Sequence, residues 1–465
     1  MDVTECSMAR DLLRAYRSGA VSPVEITRAA LARVERLNPS LNFLYLIDEA
    51  GALSAARESE ARWKKGAPCG LLDGIPTTAK DALLTRGYPI YRGAAVHNPL
   101  GVLCDDDAPV IARQKEHGAI ILGKSTMPDF GILGSGYSSK HGITRNPWNP
   151  AANTGGSSSG ASASVAAGIS PLVVGTDIVG SIRLPAAFCG LVGLKPTRGL
   201  VPYYFPNSPA LVAGPIARTV DDAALLMNVI CGPDVRDFTA LPHKGTDFTE
   251  GLEAPVLGKR VRLLEAIGFG PPPHPEVLDA LRAAAGVLRE FGCQIEPIHS
   301  PLGRDAHVPA ENFYRVRVLT EMMLIEEGQR ARSSVIDDWT RVAASYSAAD
   351  LYNFESAMLR LAEQASLLLG DADYLVMPTS PVPPFAAELP SPDAADLFAP
   401  WCNTFLFNLA DLPAITFNCG FTRDGLPIGL QIVGRRFDEL GLLRLARHYE
   451  QAAPMARAWP FEANL

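Results

Sequence analysis

The sequence predicts an α/β protein whose sheet is covered by helices on both faces. Three observations carry that expectation. Short apolar runs such as Ala119 to Leu122, closed by Gly123, and Leu172 to Val174 lack any apolar–polar alternation, so both of their faces need cover. They are interleaved with segments of helical period, the order that lays helices on a sheet. The composition, 47% hydrophobic and 20% charged, fits a globular chain with a large core.

Taken in order, Ser22-Pro23-Val24-Glu25 is a capping box with proline at the first helical position, so a helix begins there. Val24, Ala30, Leu31, Val34 and Leu37 keep its period, and Asn38-Pro39 is expected to stop it. A second helix is expected from about Asp48 to Lys65, ending at Gly66. Val110 to Glu116 reads as the helix before the Ala119 strand, and Ala161 to Ala167 as a small-residue helix before the Leu172 strand. Pro271-Pro272-Pro273 is a rigid turn or linker, and a helix follows from roughly Pro275 to Phe291. About Asn312 to Leu369 reads as helical. Apolar strands return at Tyr374 to Met377, Ala414 to Asn418 and Ile428 to Val433, before a last helix at about Glu439 to Gln451. One domain over residues 1–465 is expected: a core at 66–230, a variable and largely helical insert at 234–370 that shapes the pocket, and strands and a helix at 371–465 that complete the sheet.

Several function classes are disfavoured. A net charge of −8 without a Lys/Arg run argues against nucleic acid and anionic membranes as partners. No stretch approaches ~18 apolar residues, so no transmembrane helix is expected. The first residues carry neither a basic nor an apolar leader segment, which makes the cytoplasm the default location. Eight scattered cysteines without a C-x-x-C pair (Cys6, Cys69, Cys104, Cys189, Cys231, Cys293, Cys402 and Cys419) read as reduced thiols. The eight histidines show no metal-ligand spacing, and no phosphate-loop or dinucleotide fingerprint is present, so neither metal nor cofactor is expected.

The chemistry concentrates in three segments: Gly74-Ile75-Pro76-Thr77-Thr78-Ala79-Lys80-Asp81, Gly155-Gly156-Ser157-Ser158-Ser159-Gly160, and Gly175-Thr176-Asp177-Ile178-Val179-Gly180-Ser181-Ile182-Arg183. A serine that attacks a carbonyl needs a base, a route for its proton and N–H groups aimed at the developing oxyanion. These segments can supply all three without a histidine. Gly156 to Gly160 also matches G-x-S-x-G with Ser158 as the nucleophile, but that elbow needs a strand directly before it, and Asn146 to Asn153 reads as a loop.

With these motifs the chain resembles the amidase signature family. Ala187-Phe188-Cys189-Gly190-Leu191-Val192-Gly193-Leu194-Lys195-Pro196-Thr197, Asp411-Leu412-Pro413-Ala414 and Gly425-Leu426-Pro427-Ile428-Gly429-Leu430-Gln431 extend the likeness over most of the chain. The resemblance implies a mixed, twisted central sheet in an α/β/α arrangement. It implies Ser181 as the nucleophile that carries the acyl group, Ser157 as the bridging serine after a cis Gly156–Ser157 peptide, and Lys80 as the base. Backbone N–H groups of Ile178, Val179, Gly180 and Ser181 would form the oxyanion hole. Ser158, Asp177 and Arg183 would support the site, the last two by pairing with each other or with the backbone.

The family commonly has two glycines before its nucleophile, and Val179 stands where the first would be. Valine resists positive φ, so a negative φ or strain is expected there, and its side chain is expected to narrow the acyl pocket. Phe130, Gly131 and Ile132 are expected to line the pocket, with Tyr314, Trp339 and Trp401 as further candidate walls. The implied reaction is hydrolysis of a small-molecule carboxylic amide to acid and amine or ammonia. The glutaminase subunit of a tRNA-dependent amidotransferase shares these motifs, and esters or carbamates suit the same acyl-enzyme chemistry. A homodimer is compatible with the family.

Overall fold

The computed structural model describes residues 8–96, 101–204, 208–242 and 245–460. Its spine is an eleven-stranded sheet made of β1 (Leu44–Ile47), β2 (Pro76–Lys80), β3 (Ile120–Ser125), β4 (Leu172–Asp177), β5 (Val192–Lys195), β6 (Val212–Ala217), β7 (Arg260–Leu264), β8 (Gln294–Ile298), β9 (Tyr374–Pro378), β10 (Ala414–Phe421) and β11 (Pro427–Val433). The strands lie in the order β1-β3-β2-β4-β6-β5-β10-β11-β9-β7-β8. The sheet is mixed. β2 runs parallel to β3 and β4, β7 runs parallel to β8 and β9, and the central pairs from β4 to β9 are antiparallel.

Successive residues of the inner strands enter different apolar clusters, as the two-residue period of a strand requires. Tyr374 and Val376 of β9 join the cluster with Leu226, Leu281 and Leu442, contributed by helices Val220–Ile230, Pro275–Glu290 and Glu439–Ala452. Leu375 and Met377 join the cluster with Tyr314, Leu361 and Phe405, from helices Val308–Met322, Ala348–Leu369 and Phe405–Leu409. This is an α/β fold covered on both faces.

Four expectations need correction. Strands β7 and β8 lie within 234–370 and form one end of the sheet, so that stretch is more than a helical insert and 371–465 does not complete the sheet alone. The helix expected after Ser22 runs Pro23–Leu41, following a helix at Ala9–Ser18, and contains Pro39. Its end is set by Asn42 at φ 53°, whose N–H reaches the Asn38 carbonyl at 2.8 Å. The Asn38 side chain accepts from the N–H groups of Phe43 and Leu44, so tertiary hydrogen bonds override the proline signal. The helical stretch at 312–369 divides into helices Val308–Met322, Glu327–Arg330, Ser334–Thr340 and Ala348–Leu369, the last restarted by a Ser347–Asp350 capping box. Asn149–Asn153 is a short strand paired with Arg145–Asn146, where a loop was expected.

Seven of the cysteines are free thiols, and Cys6 lies outside the described residues. Among the described residues, no helix is long and apolar enough to cross a membrane.

Candidate active site

Lys80 is the last residue of β2. Its parallel neighbour β4 pairs Val174 with Ala79, which sets the lysine beside the Gly175–Asp177 end of β4. The side chain is fully buried. Its Nζ donates to Ser157 Oγ at 3.0 Å, Ser158 Oγ at 2.8 Å and Thr176 Oγ1 at 2.8 Å. All three partners are hydroxyls and none is a carboxylate. Burial pulls the pKa from its ordinary 10.5 to about 7, against the opposing charges of Asp177 and Asp81. Thr176 is a member of this cluster that the sequence did not single out; it lay inside a motif that drew attention to Ser181.

Ser157 follows a cis Gly156–Ser157 bond. Gly156 has no alternative, because a Cβ there would collide with the carbonyls of Leu133 and Ser135. Trp401 is not a pocket wall. It is fully buried, and its indole N–H donates to the Gly156 carbonyl at 3.1 Å. The strand Asn149–Asn153 does not revive the elbow reading, since four residues separate it from Ser158, which is fully buried against Lys80. The helix Ser159–Ala166 starts directly after it.

The loop from Asp177 to Arg183 is held from behind. Asp177 accepts from the N–H groups of Gly180 at 2.7 Å and Ile182 at 3.1 Å, and pairs with Arg183 at 3.1 Å. Arg183 also donates to the Thr404 carbonyl at 2.9 Å, to Gln431 Oε1 at 2.6 Å and to Asn408. The Asn408 amide returns to Asp177 Oδ1 at 2.7 Å. Both members of the pair are fully buried. Burial opposes the Asp177 charge, yet Arg183 and Asn408 hold its pKa below the ordinary carboxyl value. Asn408 and Thr404 were not singled out in the sequence, and Gln431 was quoted only within a motif, because all three lie more than 220 residues from the loop they brace.

Val179 is not among the described residues with positive φ; Gly180 takes that role at φ 138°. The Val179 side chain packs in the apolar cluster with Phe130 and Leu184 and does not line the cavity, so it does not narrow it. The expected oxyanion set also contracts. The Gly180 N–H is taken by Asp177, whereas those of Ile178, Val179 and Ser181 have no acceptor among the described residues.

A cavity of about 530 Å³ opens over these loops, lined by Ser157, Thr176, Ile178 and Ser181 together with Met127, Phe130 and Gly131. Ile132, Tyr314 and Trp339, also expected as walls, are not among the described residues that line the cavity; they are buried in the apolar cluster that holds Phe130. Ser157 and Ser181 share the cavity. Among the described residues their hydroxyls make no direct hydrogen bond, although the Ser158 N–H donates to the Ser181 carbonyl at 3.2 Å.

Outside the cavity, His307, Glu311 and Asp396 come within metal-chelating distance, a grouping that chain spacing hides. Glu311 Oε1 is already occupied by Arg315 at 2.8 Å and the Trp339 indole at 2.9 Å.

The amidase family profile matches residues 25–443. A glutamyl-tRNA(Gln) amidotransferase subunit of Myxococcus xanthus is 35% identical, covering 97% of this chain and 98% of its own. An acylamidase of Rhodococcus erythropolis is 32% identical, covering 98% of this chain and 97% of its own. Among solved structures, a bacterial aryl acylamidase of the amidase signature enzymes superposes with a TM-score of 0.87 at 27% identity over 97% of each chain. Fold and relatives together define an enzyme that hydrolyses amide bonds. The chain belongs to the amidase signature family.

Proposed function

We propose that the protein hydrolyses a small-molecule carboxylic amide through an ester on Ser181, with Lys80 as base and Ser157 as proton bridge. The observation that carries this reading is Lys80: an enclosed amine with a pKa near 7, hydrogen-bonded to a serine that opens on the same cavity as Ser181. Ser181 Oγ attacks the carbonyl carbon and gives its proton to Ser157, whose own proton passes to the neutral Nζ. The step needs Ser181 Oγ to close on Ser157 Oγ, a tightening of the kind that substrate binding supplies. The developing oxyanion finds the unpaired N–H groups of Ile178, Val179 and Ser181. As the C–N bond breaks, the proton returns along the same path to the leaving nitrogen. Water then cleaves the ester and frees the acid.

A fluorophosphonate probe tests this. It should label Ser181, and Ser181→Ala should lose both labelling and amide turnover. Labelling elsewhere, or turnover retained by the variant, refutes the assignment.

A second reading, that of a glutaminase within an amidotransferase complex, is favoured by the Myxococcus relative. Assay of the isolated chain on glutamine and on simple amides separates the two. Free glutamine carries an ammonium group, and no acidic side chain is among the described residues that line the cavity, which favours the first reading.

A further inference from the structure

Every charged side chain among the described lining residues of the cavity is an arginine: Arg92, Arg236 and Arg317. This stands out in a chain of net charge −8. Arg236 is compensated locally, by Asp234 at 2.8 Å and by the Asp107 carbonyl at 2.8 Å. Arg92 and Arg317 instead share one carboxylate. Arg92 donates to both oxygens of Glu321, and Arg317 Nη2 reaches Oε1 at 3.2 Å. Burial works against the charged form of Glu321, yet the two arginines hold its pKa below the ordinary value. One carboxylate between two guanidinium groups leaves a positive charge over.

Arg317 is also unfinished as a donor. Its side chain is 12% exposed, and its Nε and Nη1 are enclosed without any hydrogen-bond partner. A guanidinium offers five N–H donors in a planar fork that matches a carboxylate. Donors left unmade cost free energy, and a turn of the Arg317 side chain towards the cavity that it lines brings these two, closed off as they stand, to an anion there.

We propose that Arg317, with Arg92 beside it, binds a carboxylate on the substrate. The substrates are then amides that carry a carboxylate away from the scissile bond and no ammonium group. Ile90, Met127 and Leu211, on the same cavity, supply apolar contact for the carbon chain between the two ends. The proposal rests on the reading that Ser181 acts in this cavity.

The test uses pairs of anilides identical except for a terminal carboxylate, placed on the acyl side in one series and on the amine side in the other. In at least one series the wild-type enzyme should favour the carboxylate member by about tenfold or more in kcat/KM, mainly through KM, and added salt should shrink that ratio. Arg317→Met should bring the ratio towards one, and Arg317→Lys should recover part of it. A measurement on the unmodified enzyme covers the case in which the variants do not fold: a simple dicarboxylate should slow fluorophosphonate labelling of Ser181. Neutral members cleaved as well as charged ones in both series overturn the proposal, as does a ratio unchanged in Arg317→Met or labelling that no dicarboxylate slows. If Ser181 is neither labelled nor required, the mechanism beneath it fails as well; normal labelling with indifference to carboxylates sinks this proposal alone.

Discussion

The pH dependence of the reaction should report Lys80 directly. The drop from 10.5 to about 7 corresponds to about 5 kcal/mol of preference for the neutral amine, at ~1.36 kcal/mol per pH unit. At pH 7 about half of the enzyme then holds a usable base, against roughly one molecule in 3000 for an unperturbed lysine. On the proposed mechanism only the neutral amine accepts the Ser157 proton, so kcat/KM should rise with pH along a limb of unit slope and level off above an apparent pKa near 7. A chromogenic anilide followed from pH 5 to 9 measures it. Lys80→Ala should lower kcat/KM by about 10²–10⁴-fold and remove the limb. A limb at the same pH in that variant would show that another group titrates, and the base assignment would fall. Stability supplies an independent check. The unfolded lysine keeps its ordinary pKa, so between about 7 and 10.5 the unfolded chain holds more protons and stability rises with pH. Lys80→Met should therefore gain most stability at pH 6 and progressively less towards pH 10.

Two further outcomes follow from the loop that carries Ser181. Asp177→Ala strands the fully buried Arg183, so urea denaturation should show a loss of about 3–5 kcal/mol. An unchanged midpoint with full activity refutes the bracing role. Gly180→Ala places a Cβ against Thr404 Oγ1 at a φ of 138°, and about 1–3 kcal/mol of strain should appear as a lower Tm together with reduced kcat. Wild-type values for both would show that the loop tolerates a side chain there.

The segments that carry the candidate site were legible because their signals are local. Lys80, Ser157 and Ser181 sit in short glycine-bearing runs whose residue types announce close turns and exposed N–H groups. Local signals of this kind survive in one dimension. Strands β2, β5 and β6 were not singled out as apolar runs. Thr77, Lys80 and Lys195 interrupt them, and Gly193, Gly214 and Pro215 leave little β-branched signal. The pocket was misread for a related reason. Tyr314, Trp339 and Trp401 are large and aromatic, which sequence cannot tell apart as wall or core, and the core claimed all three. Arg92, Arg236 and Arg317 look like surface charges in the sequence, yet the fold turns them to the cavity.

The sequence by itself determined the α/β class, the family and the three segments where nucleophile, bridge and base were expected, since apolar runs, caps and glycine turns act over a few residues. Tertiary structure alone decided what those groups experience. It set the enclosure that lowers the pKa of Lys80, the Asp177–Arg183–Asn408 brace between residues 231 positions apart, and the arginines that line the cavity. Desolvation and charge balance are sums over neighbours in space, and neighbours in space are what a linear order of residues does not contain.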